Sequence, residues 1–166
     1  MCIGFLLIVL GHTDYLRPEL PSEAAQRMYA LVAAYSKWSF SLGAVAAFAG
    51  AWLVFGRRGY NAAELAALAL YCQAVFIALQ MLNQLPLVLA PSPALLQWHK
   101  AWSPWYMTAL QTLVFMVALR QFFGLRLRPD GARLLLAGAL FAGLKWQATR
   151  LYARAVVEVV LWQMGA

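Results

Sequence analysis

The chain has 166 residues, of which 64% are hydrophobic and 11% charged, with a mean hydropathy of +0.68. A soluble domain carries roughly a quarter charged residues, so this composition excludes a monomer dissolved in water and places the polypeptide in a membrane. The formal charge of +7 would suggest nucleic acid in a soluble protein. Here most of the arginines fall in short segments between apolar runs, the pattern of cytoplasmic loops facing anionic lipid, so nucleic acid is not expected as a partner.

In chain order, the first apolar run, Cys2 to Leu10, is too short to cross a hydrocarbon layer that needs roughly 20 residues. It lacks the basic start and the small-residue cleavage site of a signal peptide, so it is either a half-inserted helix or the inner part of a longer chain. Cys2 and Cys72 show neither a disulfide framework nor a metal spacing. Asp14 to Glu23 is a polar connector, and Ser22 can cap a helix that runs on through Tyr35 into the first span, 36–56. In that span Gly43, Ala46, Ala47 and Gly50 would admit a neighbouring helix closely.

Asn61 and Glu64 fit an Asx form of the capping box and open the second span, 63–89. Pro86, Pro91 and Pro93 interrupt it, and "SPALLQWHKAW" reads as a short interfacial helix capped by Ser92. Ser103-Pro104 repeats the start signal for the third span, 104–123. "RLRPDGAR" reads as a tight basic turn, and Leu134 opens the fourth span, 134–157, with Asp130 as its cap. No repeat or linker divides the chain. The expected fold is therefore all-α: a single integral domain, residues 1–166, forming a polytopic bundle of about four membrane helices with a short N-terminal apolar segment and an interfacial helix.

Arg57, Arg58, Arg120, Arg126, Arg128 and Arg133 collect in the connections of one side, against Arg17, Arg27, Lys37 and Lys100 on the other. The first group is expected to face the cytoplasm. Arg120, Arg126, Arg128 and Arg133 flank one turn and either bind the headgroup of an anionic phospholipid or serve only to set orientation.

Four ionisable groups lie in the last apolar stretch, "KWQATRLYARAVVEVVLW". Counted from Leu134, Arg150 and Arg154 stand about 24 and 30 Å along the axis, where they reach the outer headgroups, and Glu158 is placed to pair with Arg154. Lys145, on the opposite side of the helix and about 16 Å along, falls near mid-bilayer, where an ammonium requires a polar partner. The second span offers Gln73, Gln80, Asn83 and Gln84, with Gln73, Gln80 and Gln84 on one face. A polar seam between these helices is expected, and it can be structural, a contact with another subunit, or a path for a solute.

No nucleophile and base, carboxylate dyad, phosphate loop or Cys/His cluster is present, so no catalysis and no cofactor are expected. His12 and His99 are the residues with any claim to a cofactor or metal, but no spacing motif supports one and interfacial hydrogen bonding is the reading expected for both. The aromatic group Trp98, Trp102, Trp105 and Tyr106 reads as a headgroup belt or a stacking surface. Glu64 lies at a helix start, where a carboxylate is favoured without carrying protons.

The stretches "GRRGYNAAELAALALYCQAVFIALQ" and "WYMTALQTLVFMVALRQFFG" resemble an uncharacterised bacterial membrane family in which a zinc ribbon precedes several spans. Arg57, Arg58, Glu64 and Tyr106 match its basic turn, acidic helix start and aromatic-rich opening. The zinc ribbon is lacking, and Leu65 or Tyr71 stands where the family has a histidine. The resemblance, over about residues 36 to 160, implies a helical membrane fold and a bacterial origin but no activity. The role expected from the sequence is a non-catalytic accessory or scaffold subunit in the bacterial inner membrane, packed against other membrane subunits of a respiratory or photosynthetic assembly. The alternative is a small oligomeric transporter or lipid-handling protein, with Lys145 and the Gln73/Gln80/Gln84 face lining its path.

Overall fold

The structure, a computed structural model, describes residues 23–36, 39, 41–57, 59–89 and 92–164. Within these the chain is all-α: α1 (Glu23–Ser36), α2 (Ser41–Phe55), α3 (Ala62–Leu89), α4 (Pro93–Phe122) and α5 (Leu127–Met164). Helices α2 to α5 run up and down. α2 packs on α5 and α3, α4 packs on α3 and α5, and α1 lies against α5. The helix ends therefore form two poles. Phe55, Ala62, Phe122 and Leu127 lie at one, and Ser41, Leu89, Pro93 and Met164 at the other.

The pole of Phe55 and Phe122 is set by turn chemistry. Gly59, with φ +87, provides the left-handed residue between α2 and α3. Asn61 then accepts from Glu64 N at 2.8 Å while Glu64 accepts from Asn61 N at 3.0 Å, which closes the capping box at the start of α3. Gly124, with φ +59, ends α4, and the Leu125 amide donates back to the Arg120 carbonyl at 3.0 Å, the six-to-one bond of a Schellman turn.

Small residues decide how closely the helices approach. Gly43, Ala46, Ala47, Gly50 and Ala51 form the buried face of α2. A Cβ on Gly50 would stand 3.3 Å from Phe141 N and 3.4 Å from Ala137 O, so here α2 touches the backbone of α5. Beside this contact Phe141 is fully buried, stacked on Phe115 at 4.9 Å between ring centres and tilted against Phe76 at 5.5 Å. Phe55, Leu65, Leu68 and Leu119 complete the core toward the arginine-bearing pole.

Three boundaries differ from the sequence reading. α1 ends at Ser36 and α2 begins at Ser41, so they are two helices. The interfacial segment and the third span are one helix, α4, with Pro104 inside it. A proline in a helix removes a single donor, and the Thr108 hydroxyl donates to the Pro104 carbonyl at 2.6 Å one turn on. α5 begins at Leu127 rather than Leu134, because Pro129 falls in its first turn, where the missing N–H has no helical acceptor to lose. Asp130 is then inside the helix. It still closes the helix start by accepting from Arg126 N at 3.3 Å. Against the four spans expected, one described helix, α3, has a stretch long and apolar enough to cross a membrane, Ala62–Leu87, while α2 is apolar but shorter, at 15 residues.

Candidate functional site

Between α2, α3, α4 and α5, in the half of the bundle nearer Ser41 and Leu89, lies a cavity of about 320 Å³. Its polar lining comes from Gln73 and Gln80 of α3, Ser103, Thr108 and Gln111 of α4, and Lys145 and Thr149 of α5. Ser39 and Gly43 close the side of α2.

Lys145 Nζ donates to Gln111 Oε1, and Gln111 is buried at 2% exposure. Gly43 makes room for the amide of Gln73, since a Cβ there would stand 2.8 Å from Gln73 Oε1. Thr149 Oγ1 donates to the Lys145 carbonyl at 2.8 Å, so that hydroxyl offers lone pairs rather than its proton to the cavity. No carboxylate among the described residues lines this space. Among the described residues Glu64 is in the capping box, Asp130 pairs with Arg133, and Glu23 and Glu158 are exposed. The cavity thus holds one cation, several amides and hydroxyls, and no anion from the described chain.

The sequence-derived residues are distributed as follows. Gln73, Gln80 and Lys145 line one cavity, whereas Gln84 does not reach it. The partner of Lys145 is Gln111, which the sequence reading passed over by seeking partners on the second span alone. Its signal was available: Gln111 is the single amide in the apolar stretch from Trp105 to Leu119. It lies about 16 Å from the end of α4 at Phe122, a depth close to that of Lys145.

Asn83 is engaged elsewhere, accepting from the Tyr106 hydroxyl at 2.5 Å. That hydroxyl also lies 3.4 Å from Nδ1 of the buried His99, and Trp98 stacks on the Tyr106 ring. His99 therefore belongs to a side-chain network between α3 and α4. The described residues contain no group of three metal-ligating side chains. His12, like Arg17, Lys37 and Arg58, lies outside the described residues.

The expected ion pair of Arg154 with Glu158 does not form, and both side chains are exposed. Arginine on the N-terminal side of glutamate is the weaker order of such a pair, and solvent exposure leaves little to gain. Arg120, Arg126, Arg128 and Arg133 are exposed at one pole, Arg133 beside Asp130 at 3.5 Å. Trp98, Trp102 and Trp105 are exposed along the first half of α4. Comparison of the chain with protein families, with characterised proteins and with solved structures finds no match.

Proposed function

We propose that this chain is a multi-pass protein of the bacterial inner membrane, crossing it with α2, α3, α4 and α5, and that it handles a small polar or amphiphilic molecule in the cavity around Lys145. Support for the four crossings comes from the outer surface. Val45, Leu53, Leu70, Leu82, Leu113, Leu135 and Leu151 are large, apolar and exposed on all four helices, a surface suited to acyl chains and not to water. Apart from Lys145, the charged residues described in α2 to α5 gather toward the two poles. The arginine-rich pole, with Arg57, Arg120, Arg126, Arg128 and Arg133, faces the cytoplasm under the positive-inside rule. The cavity then lies toward the outer leaflet. Because α5 has 38 residues, about 57 Å, its Arg150–Met164 end extends past the hydrocarbon layer. There the Tyr152 hydroxyl donates to the Tyr35 carbonyl of α1 at 2.5 Å, and Gln163 donates to the Tyr35 hydroxyl at 2.9 Å.

The observation that carries the reading is the cavity itself. A polar space with a lone ammonium is costly inside a bilayer, and such a group at mid-depth marks a solute or ligand site by default. A purely structural seam would be packed shut. The test is gentle solubilisation and native mass spectrometry of the released protein: a bound small molecule of discrete mass is expected, and it should be lost when Thr108→Phe fills the space. A protein that emerges empty and is unaffected by that substitution refutes the reading.

A second reading, an accessory subunit of a larger membrane assembly, is favoured by how completely the described chain is used up in helices, with little left outside the bundle to act alone. In the same experiment it predicts co-purifying protein subunits in place of a small ligand. The exposed arginines at the cytoplasmic pole suit anionic phospholipid under either reading.

A further inference from the structure

The polar cavity has an apolar neighbour. A groove of about 540 Å³ runs between α4 and α5, lined by Trp105, Thr108, Ala109, Thr112, Ala142 and Trp146. Thr108 and Trp146 belong to the walls of both spaces, so groove and cavity adjoin. Although two threonines line it, the groove is apolar in effect. Thr108 Oγ1 donates to Pro104 O and Thr112 Oγ1 to Thr108 O at 2.8 Å, so both hydroxyl protons are spent on the helix's own backbone. Ala109 and Ala142 provide its depth by being small, and Trp105 and Trp146, with ring centres 5.3 Å apart, wall its end.

Resting on the cavity reading above, we propose that the site takes a single-chain amphiphile with a monovalent carboxylate head, a fatty acid, its head against Lys145 and its tail along the groove between α4 and α5, over Ala109 and Ala142. Three observations select this occupant. Among the described residues Lys145 is the single cation of a lining without carboxylates, which suits one negative charge rather than two. The amides of Gln73, Gln80 and Gln111 supply neutral donors and acceptors around a small head. Among the described residues the groove between α4 and α5 adjoins the cavity and is apolar along its walls, which suits an acyl chain.

The test uses the full chain in phosphatidylcholine nanodiscs, with tryptophan fluorescence titrated by dibrominated stearate, whose bromines quench nearby indoles. A saturable component is expected above the non-saturable quenching of lipid-facing tryptophans. It should vanish in the Trp105→Phe/Trp146→Phe double variant. Lys145→Gln should raise the half-saturation point about tenfold or more, and Lys145→Arg should restore most of the loss. Free acetate should not compete, because the tail contributes most of the affinity.

Equal binding by the dibrominated alcohol, or an unchanged Lys145→Gln variant, overturns the acid head while leaving a ligand cavity intact. Equally tight binding of dibrominated phosphatidylglycerol overturns the single-chain assignment. The absence of a saturable component with every probe overturns this proposal, and a protein that is also empty on mass spectrometry takes the cavity reading with it.

Discussion

Replacing Gln111 by leucine should harm the protein more than removing the charge it serves. In the native bundle Lys145 Nζ donates to Gln111 Oε1 in a setting where Gln111 is 2% exposed. Gln111→Leu keeps the ammonium and deletes its fixed acceptor. A hydrogen bond to a charged group contributes about 1.5–3 kcal/mol, and other polar groups of the cavity recover part of this, so a loss of about 2 kcal/mol is expected. Lys145→Leu removes the ion and leaves a neutral amide seeking a partner, at about 1 kcal/mol. In the double variant nothing polar is stranded at that position, so a cost of about 0.5 kcal/mol is expected and the coupling between the two sites is about 2.5 kcal/mol. Reversible unfolding in mixed micelles, followed by near-ultraviolet circular dichroism, measures all three. Additive effects, with coupling below about 0.5 kcal/mol, would show that Lys145 does not depend on Gln111 and refute the reasoning.

Three further substitutions probe the scaffold by the same unfolding measurement. Phe141→Ala empties the place of a ring held between Phe76 and Phe115 and should cost about 3 kcal/mol, the low end for buried phenylalanine. Gly50→Val drives a branched side chain against the backbone of Ala137 and Phe141 and should cost about 1–3 kcal/mol, whereas Gly143→Val, facing open space, should not show this packing loss. Asn61→Ala removes the acceptor for Glu64 N and should cost about 1 kcal/mol, with Asn61→Asp nearly neutral.

The helices were legible in the sequence wherever local chemistry determines them. Asn61 with Glu64, and Ser92, which accepts from Leu95 N at 3.2 Å, announce helix starts through bonds made within one turn. The small face Gly43, Ala46, Ala47 and Gly50 declares a close contact because only small residues permit one. Where a helix carries on through a proline, local rules mislead. Pro104 marks a start in short-range statistics, yet α4 carries on through it, and the stretch around Pro129 reads as a turn although α5 already opens there. The cavity was half legible for a similar reason. Depth along the helix selects Lys145, Gln73 and Gln80, but the choice between Gln73 and Gln111 as the partner of Lys145 depends on how four helices are arranged around a common axis, which a single-helix count does not contain. The groove between α4 and α5 had no signal of its own, because it arises from alanines on two helices that meet only in the folded bundle.

The proposed ligand site requires acyl chains around α2 to α5, with the arginine pole in the cytoplasm. The most direct measurement is labelling of single cysteines by an impermeant maleimide in a Cys2→Ser background, where Cys72 is buried and protected. Ala94→Cys, exposed near the start of α4, should react in intact spheroplasts, while Gly131→Cys, whose Cβ opens on free space in the basic pole, should react only in inverted vesicles. Labelling of both positions from the same side, or recovery of the labelled protein in the soluble fraction, would contradict the account.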